Sequence, residues 1–219
     1  MLIICDFDGT VTSRDTNSAL AKRFAPAAVA GLEGRLASRE LTLRDVLTAE
    51  FADVTASIEE LLEVALAIPF RSGFGRLLAH AERAGAHVVL LSSGFHELIE
   101  PMLAHAGFAG RVPLIANNLL TGAGGGRVTW RDLPVCALCD EPCKRHDVAQ
   151  LRARHAGDGA SVIYVGDGFS DRCGAEAADR VFARDSLATY LADAGFAYEP
   201  WEDFDQIIDV LELARGVAS

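Results

Sequence analysis

Two carboxylates, Asp6 and Asp8, stand just after the apolar run Met1-Leu2-Ile3-Ile4-Cys5. Two more, Asp167 and Asp171, follow the apolar run 161–165, in Gly166-Asp167-Gly168-Phe169-Ser170-Asp171. A third apolar run, 87–91, ends in Ser92-Ser93-Gly94. Bare carboxylates gathered in one place repel, so either a pKa moves or they share a cation. Four around a small volume call for a hard divalent ion with oxygen ligands, Mg²⁺ before others. A carboxylate can also act as a nucleophile towards phosphorus and form an aspartyl-phosphate. The neighbouring residues suit an anion. Ser92 offers a hydroxyl, which could equally cap a helix, and Gly9, Gly94 and Gly168 would let backbone N–H groups approach phosphate oxygens. A helix starting near Phe95 would aim its positive end at the same point. The chain has only two lysines, Lys22 and Lys144, and Lys144 opens a predicted helix, where it would supply a point positive charge for phosphate.

These groups meet only if the fold brings the ends of the apolar runs together. Runs 2–5, 87–91, 112–116, 161–165 and 181–183 read as buried strands, and helical spacing marks 16–25, at least two helices within 41–67, then 74–84, 95–106, 144–155, 185–194 and 203–214. Gly31 and Gly34 read as breaks. Strands alternating with helices predict an α/β fold with a doubly wound parallel sheet, whose ligands bind beyond the carboxyl ends of the strands. The stretch 14–80 is too long for one crossover and reads as an inserted helical cap on a catalytic core of 1–13 and 81–219. The glycine-rich 122–126 precedes a hairpin-like Arg127-Val128-Thr129-Trp130 rather than a helix, so it reads as a flexible turn and not as a dinucleotide loop.

Composition narrows the partners. In 219 residues, 31 acidic side chains against 20 Lys and Arg leave a net charge of −11, which argues against nucleic acid and anionic membranes. Half the residues are hydrophobic, enough to offset the entropy of folding. The first apolar run is too short for a signal peptide or a membrane span, and five cysteines with no such segment predict free thiols and a cytoplasmic protein, monomer or homodimer.

In four motifs, and in their order, the chain resembles the haloacid dehalogenase-like superfamily of phosphatases. Motif one is similar to Asp6-Phe7-Asp8-Gly9-Thr10, motif two to Leu91-Ser92-Ser93-Gly94, motif three to Lys144, and motif four to Gly166-Asp167-Gly168 with Asp171. The resemblance implies that Asp6 attacks phosphorus, and that Asp8 protonates the leaving oxygen and then activates water. It implies Mg²⁺ held by Asp6, the backbone carbonyl of Asp8, and Asp167, with Asp171 close by. Ser92, Ser93, Gly94 and Lys144 would hold the phosphoryl oxygens.

The insert after motif one resembles the cap of phosphoserine phosphatases. Asp15 stands where those enzymes carry a substrate-reading Glu, but Thr48 stands where their carboxylate-clamping Arg aligns, with Arg44 one turn away. The loop 136–143 and the tail from Phe182 to Phe204 are instead similar to the branch serving methionine salvage, itself similar to phosphoethanolamine and pyridoxal-phosphate phosphatases. The expectation is a Mg²⁺-dependent phosphomonoesterase for a small metabolite, a methionine-salvage keto-sugar phosphate first. Phosphoserine, pyridoxal phosphate or phosphoethanolamine are alternatives, as is phosphoryl transfer to a small acceptor. Thr12, Arg14, Asp15 and His96 are candidates for reading the substrate. Cys136, Cys139 and Cys143 could bind zinc with His146 or Asp140 as a fourth ligand, but with no second cysteine pair the preferred reading is a tight loop bracing Lys144. Cys5 and Cys173 read as small core residues.

Overall fold

The computed structural model describes residues 1–155, 159 and 161–216. Its strands are β1 (Leu2–Cys5), β2 (His87–Phe95), β3 (Leu114–Leu120), β4 (Arg127–Thr129), β5 (Val162–Gly166), β6 (Arg180–Ala183) and β7 (Glu199–Pro200). They form one sheet in the order β4-β3-β2-β1-β5-β6-β7. All pairings are parallel except β3 with β4, the hairpin expected from the sequence. β1 is central, and all four of its residues have no exposure. Alternate residues of a strand point to opposite faces, and the two faces carry different helices. Ile3, Cys5, Leu90 and Val165 pack with α6 (Phe74–Arg83), α7 (His96–His105) and α11 (Phe204–Gly216). Leu2, Ile4, Leu91 and Tyr164 pack with α8 (Lys144–His155) and α10 (Asp185–Asp193). The short α9 (Arg172–Ala175) lies against α8 and β5. Among the described residues, no helix is long and apolar enough to cross a membrane.

The cap helices are α1 (Thr16–Phe24), α2 (Pro26–Val29), α3 (Leu32–Ala37), α4 (Leu43–Ala52) and α5 (Ile58–Ala65). Capping boxes start α4 (Thr42 with Asp45) and α5 (Ser57 with Glu60), each satisfying two otherwise orphaned N–H groups. A third core joins Leu20, Leu47, Phe51 and Leu61 of the cap to Phe95, Leu98 and Leu119 at the top of the sheet. The expected boundary at residue 80 falls inside α6, which packs on β2 and α11. The chain instead leaves and re-enters the core side by side, where Thr12 bridges Phe70, Ser13 N–H donates to Pro69 O (2.9 Å) and Arg71 N–H donates to Val11 O (2.7 Å). Gly34 lies within α3 rather than at a break, because Gly31 (φ +81°) already makes the turn before it.

The turn 122–126 docks on the cap instead of hanging free. Gly126 N–H donates to Phe51 O (2.9 Å), and Gly125, at φ +92°, lies so close that a Cβ there would stand 1.9 Å from Ala52 O. Gly125→Ala is expected to lower stability by on the order of 1–3 kcal/mol in urea unfolding. Gly122→Ala, with nothing within 4 Å of its Cβ, is the control expected to change little. Equal midpoints for the two variants would refute the docking.

Candidate active site

Asp6 is held at the end of β1 by its N–H, which donates to Val165 O (2.9 Å) and continues the ladder with β5. Lys144, the first residue of α8, is 2% exposed; its ammonium donates to Asp6 Oδ1 (2.6 Å) and Asp171 Oδ1 (2.7 Å). Asp171 has no exposure and also accepts from Tyr164 OH (2.7 Å) and from the N–H groups of Asp167 (3.1 Å) and Gly168 (3.0 Å). Thr10 Oγ1 donates to Asp167 Oδ1 (2.6 Å). Asp8 Oδ2 accepts from Ser92 Oγ (3.0 Å) and Asn17 Nδ2 (3.2 Å). The strand ends, the start of α8 and the first turn of α1 thus converge on one point.

Burial governs the electrostatics. It pushes Asp8 up to about 7, and the Asp15 carboxylate adds to the rise. It likewise pushes Asp167 up to about 7, with Asp171 adding repulsion. Asp6 is driven well above the ordinary carboxylate range by burial and by Asp171, with Lys144 opposing. Burial pulls the Lys144 ammonium down, but Asp171 and Asp6 outweigh it and hold its pKa above the usual value, so Lys144 is charged. Ligand oxygens of Asp6, Asp167 and Asp171 all lie within 4.8 Å of one another. Three carboxylates face one ammonium here, and an oxygen-only donor set with excess negative charge fits a hard divalent cation. Asp171 already takes four donors, so its part is to orient Lys144 and the 167–168 turn.

Above these groups lies a cavity of about 180 Å³. Asp6, Asp8, Asp15, Ser93 and Asp167 line its floor, and the cap supplies Leu36, Leu43, Val46, Leu47 and Glu50. Ser93 therefore stays at the site, and its carbonyl accepts from Asn117 Nδ2 (2.8 Å). Asp15 also stays, and caps α1 by accepting from Ser18 N–H (2.8 Å). Three other candidates do not reach the cavity. Thr12 is buried, its Oγ1 accepting from Gly9 N–H (3.0 Å) and donating within its own loop. Arg14 is exposed and outside the lining. His96 pairs with Glu100 (2.9 Å) one helical turn on, in a separate surface hollow.

The glycines serve a different purpose from the expected phosphate cradle. The N–H of Gly9 goes to Thr12, that of Gly94 to Ser92 Oγ (2.7 Å) and that of Gly168 to Asp171. Glycine at 94 instead lets Asp8 approach, since a Cβ there would stand 2.6 Å from Asp8 Oδ2. Ser92 caps no helix, because β2 runs on to Phe95 before α7 begins. Sequence reasoning missed Asn17, Tyr164 and Glu50, and named Thr10 within motif one without giving it a role. Tyr164 alone had a signal, as a polar-tipped residue in an otherwise aliphatic buried strand.

Acidic groups around one buried lysine, at the carboxyl edge of a doubly wound sheet and under a helical lid, mark the site of a capped α/β protein suited to a cation and an anionic ligand. The sequence profile of the haloacid dehalogenase-like hydrolases matches residues 3–176, and the chain belongs to that family. It is 29% identical over 220 residues to a 2-hydroxy-3-keto-5-methylthiopentenyl-1-phosphate phosphatase of Microcystis aeruginosa, covering 97% of this chain and 98% of the relative. A Bacillus cereus protein of the same name is 26% identical over 224 residues, covering 98% and 97%. Among solved structures, a phospho-aspartyl intermediate analogue of phosphoserine phosphatase superposes with a TM-score of 0.72 at 17% identity, covering 95% of this chain and 97% of that one. Its full-length relatives are phosphatases, and we class this enzyme with them.

A pH signature follows from the raised acids. Without a cation, Asp8 and Asp167 keep protons between pH 3.8 and about 7 that the unfolded chain has released. The native state then binds more protons, so these groups make stability fall as pH rises through that window. Asp167→Asn is expected to stabilise the metal-free protein at pH 8 by on the order of 1–3 kcal/mol and to flatten that fall. It should also abolish the rise in Tm expected of the wild type on addition of Mg²⁺. A variant with unchanged Mg²⁺ response would remove Asp167 from the cation site.

Proposed function

We propose that the enzyme hydrolyses a small phosphomonoester through an aspartyl-phosphate on Asp6. The observation that carries this is the Asp6–Lys144–Asp171 contact beneath a cavity that Asp8 also lines. Lys144 holds one oxygen of Asp6, which orients the carboxylate and leaves its other oxygen to attack phosphorus. As the ester bond breaks, Asp8 gives its proton to the leaving oxygen; a group raised to about 7 still carries one near neutrality. Asp8 then takes a proton from water, which attacks phosphorus, breaks the Asp6–phosphorus bond and releases inorganic phosphate. Ser92 and Asn17 hold Asp8 in line for both transfers. Asp6, the Asp8 carbonyl and Asp167, with Asp171 behind them, would hold Mg²⁺, which would supply charge neutralisation for the phosphoryl oxygens. Lys144 and the 92–94 end of β2 would complete their surroundings.

For the substrate, we favour a keto-sugar phosphate of the methionine-salvage type. The full-length relatives carry that name. The cap lining offers Leu36, Leu43, Val46 and Leu47, which suit an apolar tail. Among the described residues, no Lys, Arg or His lines this cavity itself, and Arg44 lies over the Trp130 ring (5.2 Å) in an adjoining hollow that shares Leu43 and Ser93 with it, so the basic groups stand to one side of the apolar cap lining. A cap over a small cavity also excludes polymers and bulk water.

Asp6→Asn is expected to cut Mg²⁺-dependent p-nitrophenyl phosphate turnover by roughly 10³-fold or more with an unchanged circular dichroism spectrum. Lys144→Ala should lose most activity and some stability, since two buried carboxylates lose their cation. Normal turnover in Asp6→Asn would overturn the mechanism. A screen of phosphorylated metabolites, with phosphoserine, pyridoxal phosphate and phosphoethanolamine beside the keto-sugar phosphate, tests the substrate. Product analysis with added small alcohols separates hydrolysis from transfer.

A further inference from the structure

Cys173 is not an isolated core residue. It completes a cluster with Cys136, Cys139 and Cys143, in which the four sulfur atoms all lie within 4.8 Å of one another. A tetrahedral zinc with Zn–S bonds of about 2.3 Å sets its sulfurs about 3.8 Å apart, so these thiols need only a small inward movement to enclose one. Neither His146 nor Asp140, the fourth ligands considered from the sequence, belongs to the cluster.

The local backbone is shaped for the purpose. Cys136 N–H donates to Glu141 O (3.0 Å), Asp140 N–H donates to Cys136 O (2.9 Å), and Val135 bridges Pro142, so the Cys-x-x-Cys turn closes on itself. Asp140 takes φ +58°, which turns the chain back and leads Cys143 to the start of α8. α9 brings in Cys173 from the other side. Cys136 and Cys173 are buried, and Cys139 and Cys143 are half-buried. All are free thiols.

We infer that Cys136, Cys139, Cys143 and Cys173 form a structural zinc site. Four protein sulfurs leave no open coordination position, so the ion would be structural rather than catalytic. Binding exchanges four S–H bonds for four Zn–S bonds and releases four protons, with no change of oxidation state. Cys143 directly precedes Lys144 and Cys173 closely follows Asp171. One ion would therefore clamp together the two backbone segments whose side chains meet in the 2.7 Å Lys144–Asp171 bond.

The protein purified under reducing conditions without added metal is expected to carry about one zinc per chain by elemental mass spectrometry. Exchange for Co²⁺ should give the visible absorption of a tetrahedral thiolate complex. Cys173→Ser and Cys136→Ser should each lower zinc content at least about tenfold, while Cys5→Ser keeps it. Should the cysteine variants fail to fold, the wild-type zinc content and Co²⁺ spectrum still decide. A wild-type protein without zinc that takes up neither zinc nor cobalt overturns the site. So does iron in place of zinc, or a disulfide between any two of the four cysteines in the native protein. These readouts do not involve phosphate chemistry, so they stand or fall separately from the proposed activity.

Discussion

A lysine ammonium buried to 2% exposure is tolerable only where carboxylates meet it at hydrogen-bond distance, and much of this molecule is arranged to meet that condition for Lys144. Asp6 arrives from the central strand, Asp171 from the turn after β5, and α8 must begin at the right height above the sheet. Asp171 needs support of its own, which comes from the Tyr164 hydroxyl and two backbone N–H groups. Tyr164 must in turn sit in β5 with its ring in the second core. The register of β5 on β1, pairing Ile4 with Tyr164 and Cys5 with Val165, is thus tied to the protonation of a side chain at the sheet's edge.

Such a site leaves negative charge over. Three close carboxylates against one ammonium cannot all ionise cheaply, and the structure shows the strain as acids lifted out of their ordinary range. A dication relieves the crowding. The whole chain carries −11, yet the pocket need not repel an anionic substrate once that excess is locally cancelled. Net charge argues against polyanions as partners but is silent about a single phosphate group.

Much of this was legible in the sequence because it rests on local signals. Apolar runs ending in acidic or Ser-Gly turns mark β1, β2 and β5, and their ends carry most of the site. What stayed hidden depends on packing. Ser92-Ser93-Gly94 has poor strand propensity, yet β2 continues to Phe95 because Phe95 pairs with Asn117 of β3 and stacks edge-on against Phe51 of the cap (4.9 Å). His96 looked placed for substrate, but the first turn of α7 points it at Glu100. Cys173 could not be linked to the 136–143 loop, because only the packing of α9 on α8 brings it there. Asn17 reaches Asp8 only through the tight path between motif one and α1, which no periodicity reveals.

The bridge between Thr12 and Phe70 makes the cap a cassette. Its two ends leave the core at one doorway, and Arg71 locks that doorway to the sheet edge by donating to the carbonyls of Thr10 (3.1 Å) and Gly9 (2.8 Å). A different lid entering and leaving through the same pair of residues would keep the β1–β5 register and the lysine contacts, but would have to supply its own partners for Asp8 and Phe95 in place of Asn17 and Phe51. The lysine and its carboxylates are therefore separable by inheritance from the choice of substrate, whereas Asp8 is tied to the insert. New specificities can be tried by reshaping the cap beyond its first turn, while the centre beneath is handed on.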